Sequence, residues 1–325
     1  MNKNNVLIFL ILVVLCSVFP VFGDDVQTVT NKTFMDDLER EVSITTDVTS
    51  VITLAPSLTE TLYFLGAVDL IKAVDMNSDY PESVADLNKV TSWDNGPDYE
   101  MMLALDPDVI FASEMTSLDE ISNMEKLGLT VYCVKNPADF DELFESILTI
   151  GTVIGKEDEA VELVEDLSAR VNAVEESMKE CTDSSLVFYE LDATDTTKPW
   201  TAGKGTFISE IIKMSCGVNL GDELEGDWAQ IGLEALIKAD PAIILLGDAA
   251  YGNSPEAVAA RTGWGEISAV KNGKMYEFDD NLVSRPGPRL VEGLEVIARI
   301  LHPECLTENF MICTGEDNQA LLRII

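Results

Sequence analysis

The stretch Lys156–Glu180, KEDEAVELVEDLSARVNAVEESMKE, decides how the rest of the chain is organised. It contains no proline or glycine. Its apolar residues Val161, Val164, Leu167, Val171, Val174 and Met178 recur at steps of three or four, the spacing of one helical face. Most other positions are charged and acidic. At ~1.5 Å per residue a helix of this length spans about 37 Å, roughly the width of a domain. Taken alone, this is an ordinary amphipathic surface helix. Its flanks give it a larger role.

One pattern occurs on both sides of it. Before the helix runs Trp93, then Glu100-Met-Met-Leu-Ala-Leu-Asp106-Pro107-Asp-Val109-Ile110-Phe111. After it runs Trp228, then Glu234-Ala-Leu-Ile-Lys-Ala-Asp240-Pro241-Ala-Ile243-Ile244-Leu245. Each copy reads as a short helix, an Asp-Pro stop and a buried strand, because proline disfavours helix in the residue before it and Val/Ile runs suit a strand covered on both faces. A repeat this long is no solenoid unit. It predicts an α/β protein of two similar lobes with central sheets, joined by one long α-helix. The expected division is a signal peptide or N-terminal anchor over 1–23, an N-terminal α/β lobe over 24–155, the bridging helix over 156–180, a C-terminal α/β lobe over 181–303 and a tail over 304–325.

With 325 residues there is core enough for two lobes. Acidic residues outnumber basic ones 58 to 21, a formal charge of −37. That excludes a nucleic-acid partner, which needs a basic face, and docking on an anionic membrane surface. The apolar run Val6–Val21 after Lys3, closed by Val21-Phe22-Gly23, reads as an export signal or anchor. Export permits disulfides. Beyond the signal lie Cys133, Cys181, Cys216, Cys305 and Cys313, an odd number, with Cys133 placed as a buried thiol by its apolar neighbours. With no Cys-x-x-Cys, no cysteine metal site is expected.

Val51-Ile-Thr-Leu54 reads as a buried strand running into Ala55-Pro-Ser57-Leu-Thr-Glu60, where Ser57 and Glu60 suggest a capping box for a helix ending at Gly66. Such a strand-to-helix turn aims backbone N–H groups at the strand's carboxyl edge, where open α/β sheets bind ligands, so Ser57 is a candidate ligand contact. Tyr80 in Ser78-Asp-Tyr-Pro81, Trp93 in Thr91-Ser-Trp-Asp-Asn-Gly-Pro97, Trp200 in Thr197-Lys-Pro-Trp200 and Trp228 in Asp227-Trp-Ala-Gln are expected in or beside loops at strand ends. Aromatics there suit a cleft for a sizeable, flat or partly apolar molecule. Gly203-Lys-Gly205-Thr206 lacks the spacing of a phosphate loop. Pro288 suits the first turn of a last helix, Leu290–Leu301. Catalysis has no carrier: the single histidine, His302, precedes Pro303 at a helix end, and no nucleophile–base or metalloprotease motif occurs.

The chain resembles the substrate-binding proteins of ABC importers for cobalamin, iron–siderophore complexes and haem. The resemblance covers about residues 33–303. It rests on Arg40-Glu-Val-Ser-Ile44, Val51-Ile-Thr-Leu-Ala-Pro-Ser-Leu-Thr-Glu60, Ser78-Asp-Tyr-Pro81, Leu105-Asp-Pro-Asp-Val-Ile110, Gly203-Lys-Gly-Thr206 and Arg285-Pro-Gly-Pro-Arg289. It implies a helix-bridged pair of lobes that grips its ligand between them. Within the family the pattern is most similar to the cobalamin binders. Tyr80, Trp93 and Trp228 match their cleft aromatics, and Trp200 stands where they carry a Phe. Arg285 matches a position near the cleft, open to a ligand contact or a structural salt bridge. Glu100 and Glu234 match carboxylates, one per lobe, that pair with permease arginines; first-turn helix glutamates would look the same. Cys216 matches a family cysteine whose partner position is here Ala298, with Cys305 as substitute.

The resemblance therefore implies an exported, non-enzymatic, monomeric receptor that binds a corrinoid without a resident cofactor or metal. It would deliver that ligand to an ABC permease and its ATPase. A ferric siderophore or haem is the alternative ligand, and a receptor ectodomain the more distant alternative role. Zinc and manganese binders need several histidines, which one His302 does not supply.

Overall fold

A computed structural model describes residues 30–179 and 181–305. The expected leader and residues 306–325 of the tail lie outside the described residues. The N-terminal lobe begins with an antiparallel hairpin, β1 (Asn31–Met35) and β2 (Glu41–Thr45). There follow β3 (Val51–Thr53), α1 (Pro56–Phe64), β4 (Ile71–Val74), β5 (Asn88–Lys89), the two-residue strands β6 (Thr91–Ser92) and β7 (Gly96–Pro97), α2 (Tyr99–Leu105), β8 (Val109–Ser113), α3 (Leu118–Lys126), β9 (Val131–Val134) and α4 (Phe140–Ile154). Strands β5-β4-β3-β8-β9 form a parallel sheet in that order. Every residue of β3, β8 and β9 is buried, as Val/Ile runs covered on both faces should be. Ser117 and Glu120 make a full capping box for α3, and Gly155 ends α4 in the left-handed conformation.

After the bridging helix α5 (Glu157–Met178) the second lobe runs β10 (Leu186–Glu190), β11 (Trp200–Ala202), α6 (Phe207–Met214), β12 (Val218–Asn219), β13 (Trp228–Gln230), α7 (Leu233–Ala239), β14 (Ile243–Leu246), α8 (Pro255–Ala259), α9 (Ser268–Lys271), β15 (Met275–Glu277), α10 (Asn281–Ser284) and α11 (Leu290–Leu301). Its parallel sheet has the order β12-β10-β14-β15. In both sheets the chain steps outward from its first strand and then switches to the other side, so each lobe has a switch point at its strands' carboxyl ends. The repeat is real in three dimensions. Helices α2 and α7 end alike, in Asp106 at φ 46° and Asp240 at φ 52°, and each Asp-Pro leads into a wholly buried strand, β8 or β14.

Helix α5 is the spine. It packs on α4 of the first lobe and on α6 and α11 of the second. Ala160, Leu167, Val171, Val174 and Met178 are buried, whereas Val161 is 47% exposed. The seam is shifted there because Ala160 faces Gly151 of α4; a Cβ on Gly151 would stand 2.5 Å from that of Ala160, so glycine at 151 lets the helices approach. At the other end Arg170 Nε and Nη2 donate to Glu295 Oε1 and Oε2 of α11, both at 2.8 Å. One hydrophobic core runs through both lobes beneath α5, and a smaller cluster covers the other face of each sheet. Such a spine bends less readily than loop hinges. We expect solution scattering to give the same radius of gyration with and without ligand; a large compaction would contradict this reading.

Two local expectations need correction. Pro288 is not in the first turn of α11: Arg289 is the N-cap, and Pro288 sits outside it. Ser57 and Glu60 make no capping box. Pro56 already occupies the first turn of α1, Ala55 is the N-cap without a side-chain hydrogen bond, and Glu60 points into the interior.

Candidate functional site

The candidate residues fall into three groups. The first is an indole ribbon on the C-terminal lobe. Trp200 lies on β11 rather than in a loop, continuing from the carboxyl end of β10, where its backbone exchanges hydrogen bonds with Leu191 and Asp192. β11 pairs antiparallel with β13, Trp200 opposite Gln230 and Ala202 opposite Trp228. Opposed residues share a face, so Trp200, Ala202, Trp228 and Gln230 stand on one side, with Ala202 covered, and Thr201 and Ala229 stand on the buried side. The two tryptophans are diagonal neighbours, with Cα atoms about 7–8 Å apart in such a ladder. They are 39% and 51% exposed, a paved apolar surface left in solvent.

The second is its counterpart on the N-terminal lobe. β5 continues into the β6–β7 hairpin, where Thr91 pairs with Pro97 and Ser92 with Gly96. Gly96 holds φ +64°, which a tight reversal needs. Trp93 follows β6 within this turn and is 82% exposed. Val90, Thr91, Asn95 and Tyr99 are among the residues lining a depression of about 380 Å³ beside it.

The third is a polar seam between lobes, and it gathers Ser57, Tyr80 and Arg285 around a residue with no site role in the sequence reading, Glu60. Glu60 is fully buried. Arg289 Nε and Nη2 donate to its Oε2 and Oε1 at 2.9 and 2.7 Å, and Arg285 Nη1 donates to Oε1 at 3.1 Å. Arg285 also donates to Asp79 Oδ1 at 2.7 Å and to the Asn77 carbonyl at 3.3 Å. The Arg289 guanidinium lies over the Tyr80 ring at 4.2 Å, and Tyr63 and Phe64 pack on the same ring. Burial, together with neighbouring Tyr63, raises the Tyr80 phenol above its ordinary pKa. Ser57 is buried; a Cβ on Gly287 would come 3.2 Å from its carbonyl oxygen, so glycine allows the lobes to meet here. Of the two roles open to Arg285, the salt bridge is present. No apolar periodicity marks Glu60, since Ser57 through Leu62 are all buried; its only signal in the sequence is that it closes the Val51–Glu60 stretch that carries the resemblance.

Beneath the indole ribbon lies a second buried ionic group. Glu190 ends β10, fully buried, and accepts from Arg261 Nη1 and Nη2 at 2.6 and 2.9 Å. Arg261 in turn covers the buried Trp264 ring. Asp248, beyond β14, accepts from the Ala193 amide, while its Oδ1 is buried with no hydrogen-bond partner. Glu190 alone is ion-paired with Arg261, and Asp248 feels the guanidinium's charge from further off. Burial pushes Glu190 up to about 7 against the pull of Arg261, and burial raises Asp248 as well. Folded protein then holds a proton that the unfolded chain, at the ordinary 4.5, has released. Stability should therefore fall as pH rises from about 4.5 to about 7 and level off above. Urea midpoints measured across this range should drop for the natural chain and drop less for Glu190→Gln; equal slopes would refute the assignment.

Glu100 and Glu234 occupy equivalent first-turn positions of α2 and α7, both exposed. Cys133 is buried, as expected, and so is His302. Among the described residues no helix is long and apolar enough to cross a membrane.

Two helix-linked α/β lobes, with aromatic surfaces at the carboxyl ends of their sheets, define a bilobal binding protein. The chain belongs to the periplasmic binding protein family, whose model matches residues 51–282. It is 32% identical over 294 residues to an ABC transporter substrate-binding lipoprotein of Bacillus subtilis, covering 90% of this chain and 88% of that one. The crystal structure of a possible iron-binding, periplasmic solute-binding protein from Staphylococcus epidermidis is 29% identical, with TM-score 0.67, over 79% of this chain and 99% of that one. The vitamin B12-binding protein of Vibrio cholerae is 25% identical, with TM-score 0.66, over 79% of this chain and 97% of that one. The protein is thus a solute-binding component of an ABC importer, of extracytoplasmic type, and not an enzyme.

Proposed function

We propose that the ligand is a corrinoid, cobalamin or a close relative, held between the lobes and passed to an ABC permease driven by its ATPase. The observation that carries this is the set of three solvent-facing indoles, Trp93 on one lobe and Trp200 with Trp228 on the other. Large aromatic faces left in water suit a wide, flat, partly apolar ligand with polar edges. The corrin ring supplies that face, and its amide fringe suits Gln230 and the polar seam, where Ser57, Tyr80 and Arg285 border the ligand. The similarity to the Vibrio B12-binding protein supports the same reading. No cofactor is required by this role. The protein acts as a monomer, exported and held at the outer face of the cell membrane.

Incubating the purified chain with equimolar cobalamin, haem and a ferric hydroxamate, then separating it by gel filtration, should give protein carrying the corrin absorption spectrum. A haem or ferric spectrum instead would overturn the ligand assignment and favour the alternative suggested by the Staphylococcus relative. Docking is tested separately: Glu100→Ala with Glu234→Ala should leave binding intact and depress corrinoid uptake by cells that depend on this protein. Undiminished uptake would refute the docking role.

A further inference from the structure

At the end of the C-terminal sheet opposite the indoles, three element ends converge at its amino-terminal edge. Cys181 follows α5, Cys216 lies between α6 and β12, and His302 ends α11. The chain's one histidine is 3% exposed. Cys181 Sγ lies 3.4 Å from its Nδ1 and 3.3 Å from its Nε2. One ligand atom from each of Cys181, Cys216 and His302 lies within 4.8 Å of the others. The Cys216 backbone is left-handed, φ 58°, and its thiol is 3.7 Å from the Cys181 carbonyl. Glu304 Oε1 stands 3.5 Å from Nδ1, and His302, Glu304 and Cys305 form a second cluster of the same tightness.

We infer that Cys181, Cys216 and His302 bind a divalent ion of the zinc type, with water in the fourth position. With metal–sulfur bonds of about 2.3 Å and metal–nitrogen bonds of about 2.0–2.1 Å, the sulfur-to-nitrogen edge of a tetrahedral site is about 3.5 Å. The Cys181–His302 separation already has that length. Binding through Nε2 would leave Nδ1–H towards Glu304 Oε1, 3.5 Å away, the carboxylate–histidine–metal arrangement that fixes a ligand tautomer. Mixed thiolate and imidazole donors select zinc-like ions over calcium or magnesium, which the acidic surface would attract only loosely. On binding, the thiols lose their protons to solvent as metal–sulfur bonds form, with no change of oxidation state. A disulfide between Cys181 and Cys216 would instead leave the buried imidazole facing sulfurs that donate no hydrogen bond. Sequence spacing hides the site: Cys216 and His302 lie 35 and 121 residues beyond Cys181, without a Cys-x-x-Cys. The ion would staple the end of the spine to the last helix.

The full exported chain, purified reduced and corrinoid-free, should carry about one zinc per molecule. Exchange with cobalt(II) should give a thiolate-to-cobalt charge-transfer band and the strong ligand-field bands of a four-coordinate ion. Cys181→Ser, Cys216→Ser and His302→Gln should each abolish or shift these bands, and Glu304→Gln should weaken metal affinity about 10–100-fold. Should the ligand variants not fold, chelation of the natural protein still decides: metal removal should lower the melting temperature while the fold persists. Absence of bound zinc or cobalt with every thiol reactive overturns the proposal. So does loss of two reactive thiols without cobalt bands, the mark of a disulfide, and so does cobalt bound without a thiolate band, the mark of adventitious carboxylate binding.

Discussion

Replacing Glu60 with alanine is expected to destabilise the protein by about 3–5 kcal/mol, the cost of breaking a buried ion pair from one side. The carboxylate is fully buried and answers two guanidiniums from the other lobe. Arg289 is itself buried and braced by Tyr80, so it cannot swing out to water when its partner is lost. The side chain of Asp79, 65% exposed, would be left as the nearest compensating charge for Arg285 alone. Asp79→Ala is therefore expected to cost no more than about 1 kcal/mol, the range of exposed pairs. Replacing both partners with apolar residues of similar size, Glu60→Leu with Arg289→Met, should recover much of the Glu60→Ala loss, since the penalty is an unpaired buried charge. Urea unfolding of these variants checks the account. A Glu60→Ala loss under about 1 kcal/mol would mean that water reaches the seam and that its ion pairs do not hold the lobes together.

Removing both ribbon indoles, Trp200→Ala with Trp228→Ala, is expected to weaken cobalamin binding about a hundredfold with little change in stability. Stacking of a flat ligand on an aromatic side chain contributes about 1–3 kcal/mol per ring, and ~1.4 kcal/mol is a factor of ten. The rings share one face, so their effects should not add fully. Trp93→Ala alone should cost about tenfold. Because all three are exposed, truncation opens no cavity in the core. An affinity unchanged in the double variant would remove the ribbon from the site.

Much of this was legible in the chain itself. The helix Lys156–Glu180 showed its role through period and through the Trp/Glu/Asp-Pro units on either side, because the hydrophobic pattern that buries an element also specifies it. What stayed hidden depends on contacts distant in sequence. Glu60 looked like a capping residue because Ser57 stood three positions before it, yet Pro56 had already started the helix. Its partners lie 225 and 229 residues away. Trp200 reads as a loop residue because the strand that holds it is three residues long and pairs with another of the same length, β13. Val161 fits the helical stripe but is displaced by the Gly151–Ala160 approach, which no single-helix periodicity contains.

The central claim is that the exposed indoles grip a corrinoid. Titrating cobalamin into the purified protein while following tryptophan emission tests it most directly. The account predicts saturable quenching at one cobalamin per chain, reduced when Trp200 and Trp228 are replaced. Emission that ignores cobalamin but responds to haem or a ferric siderophore would contradict it.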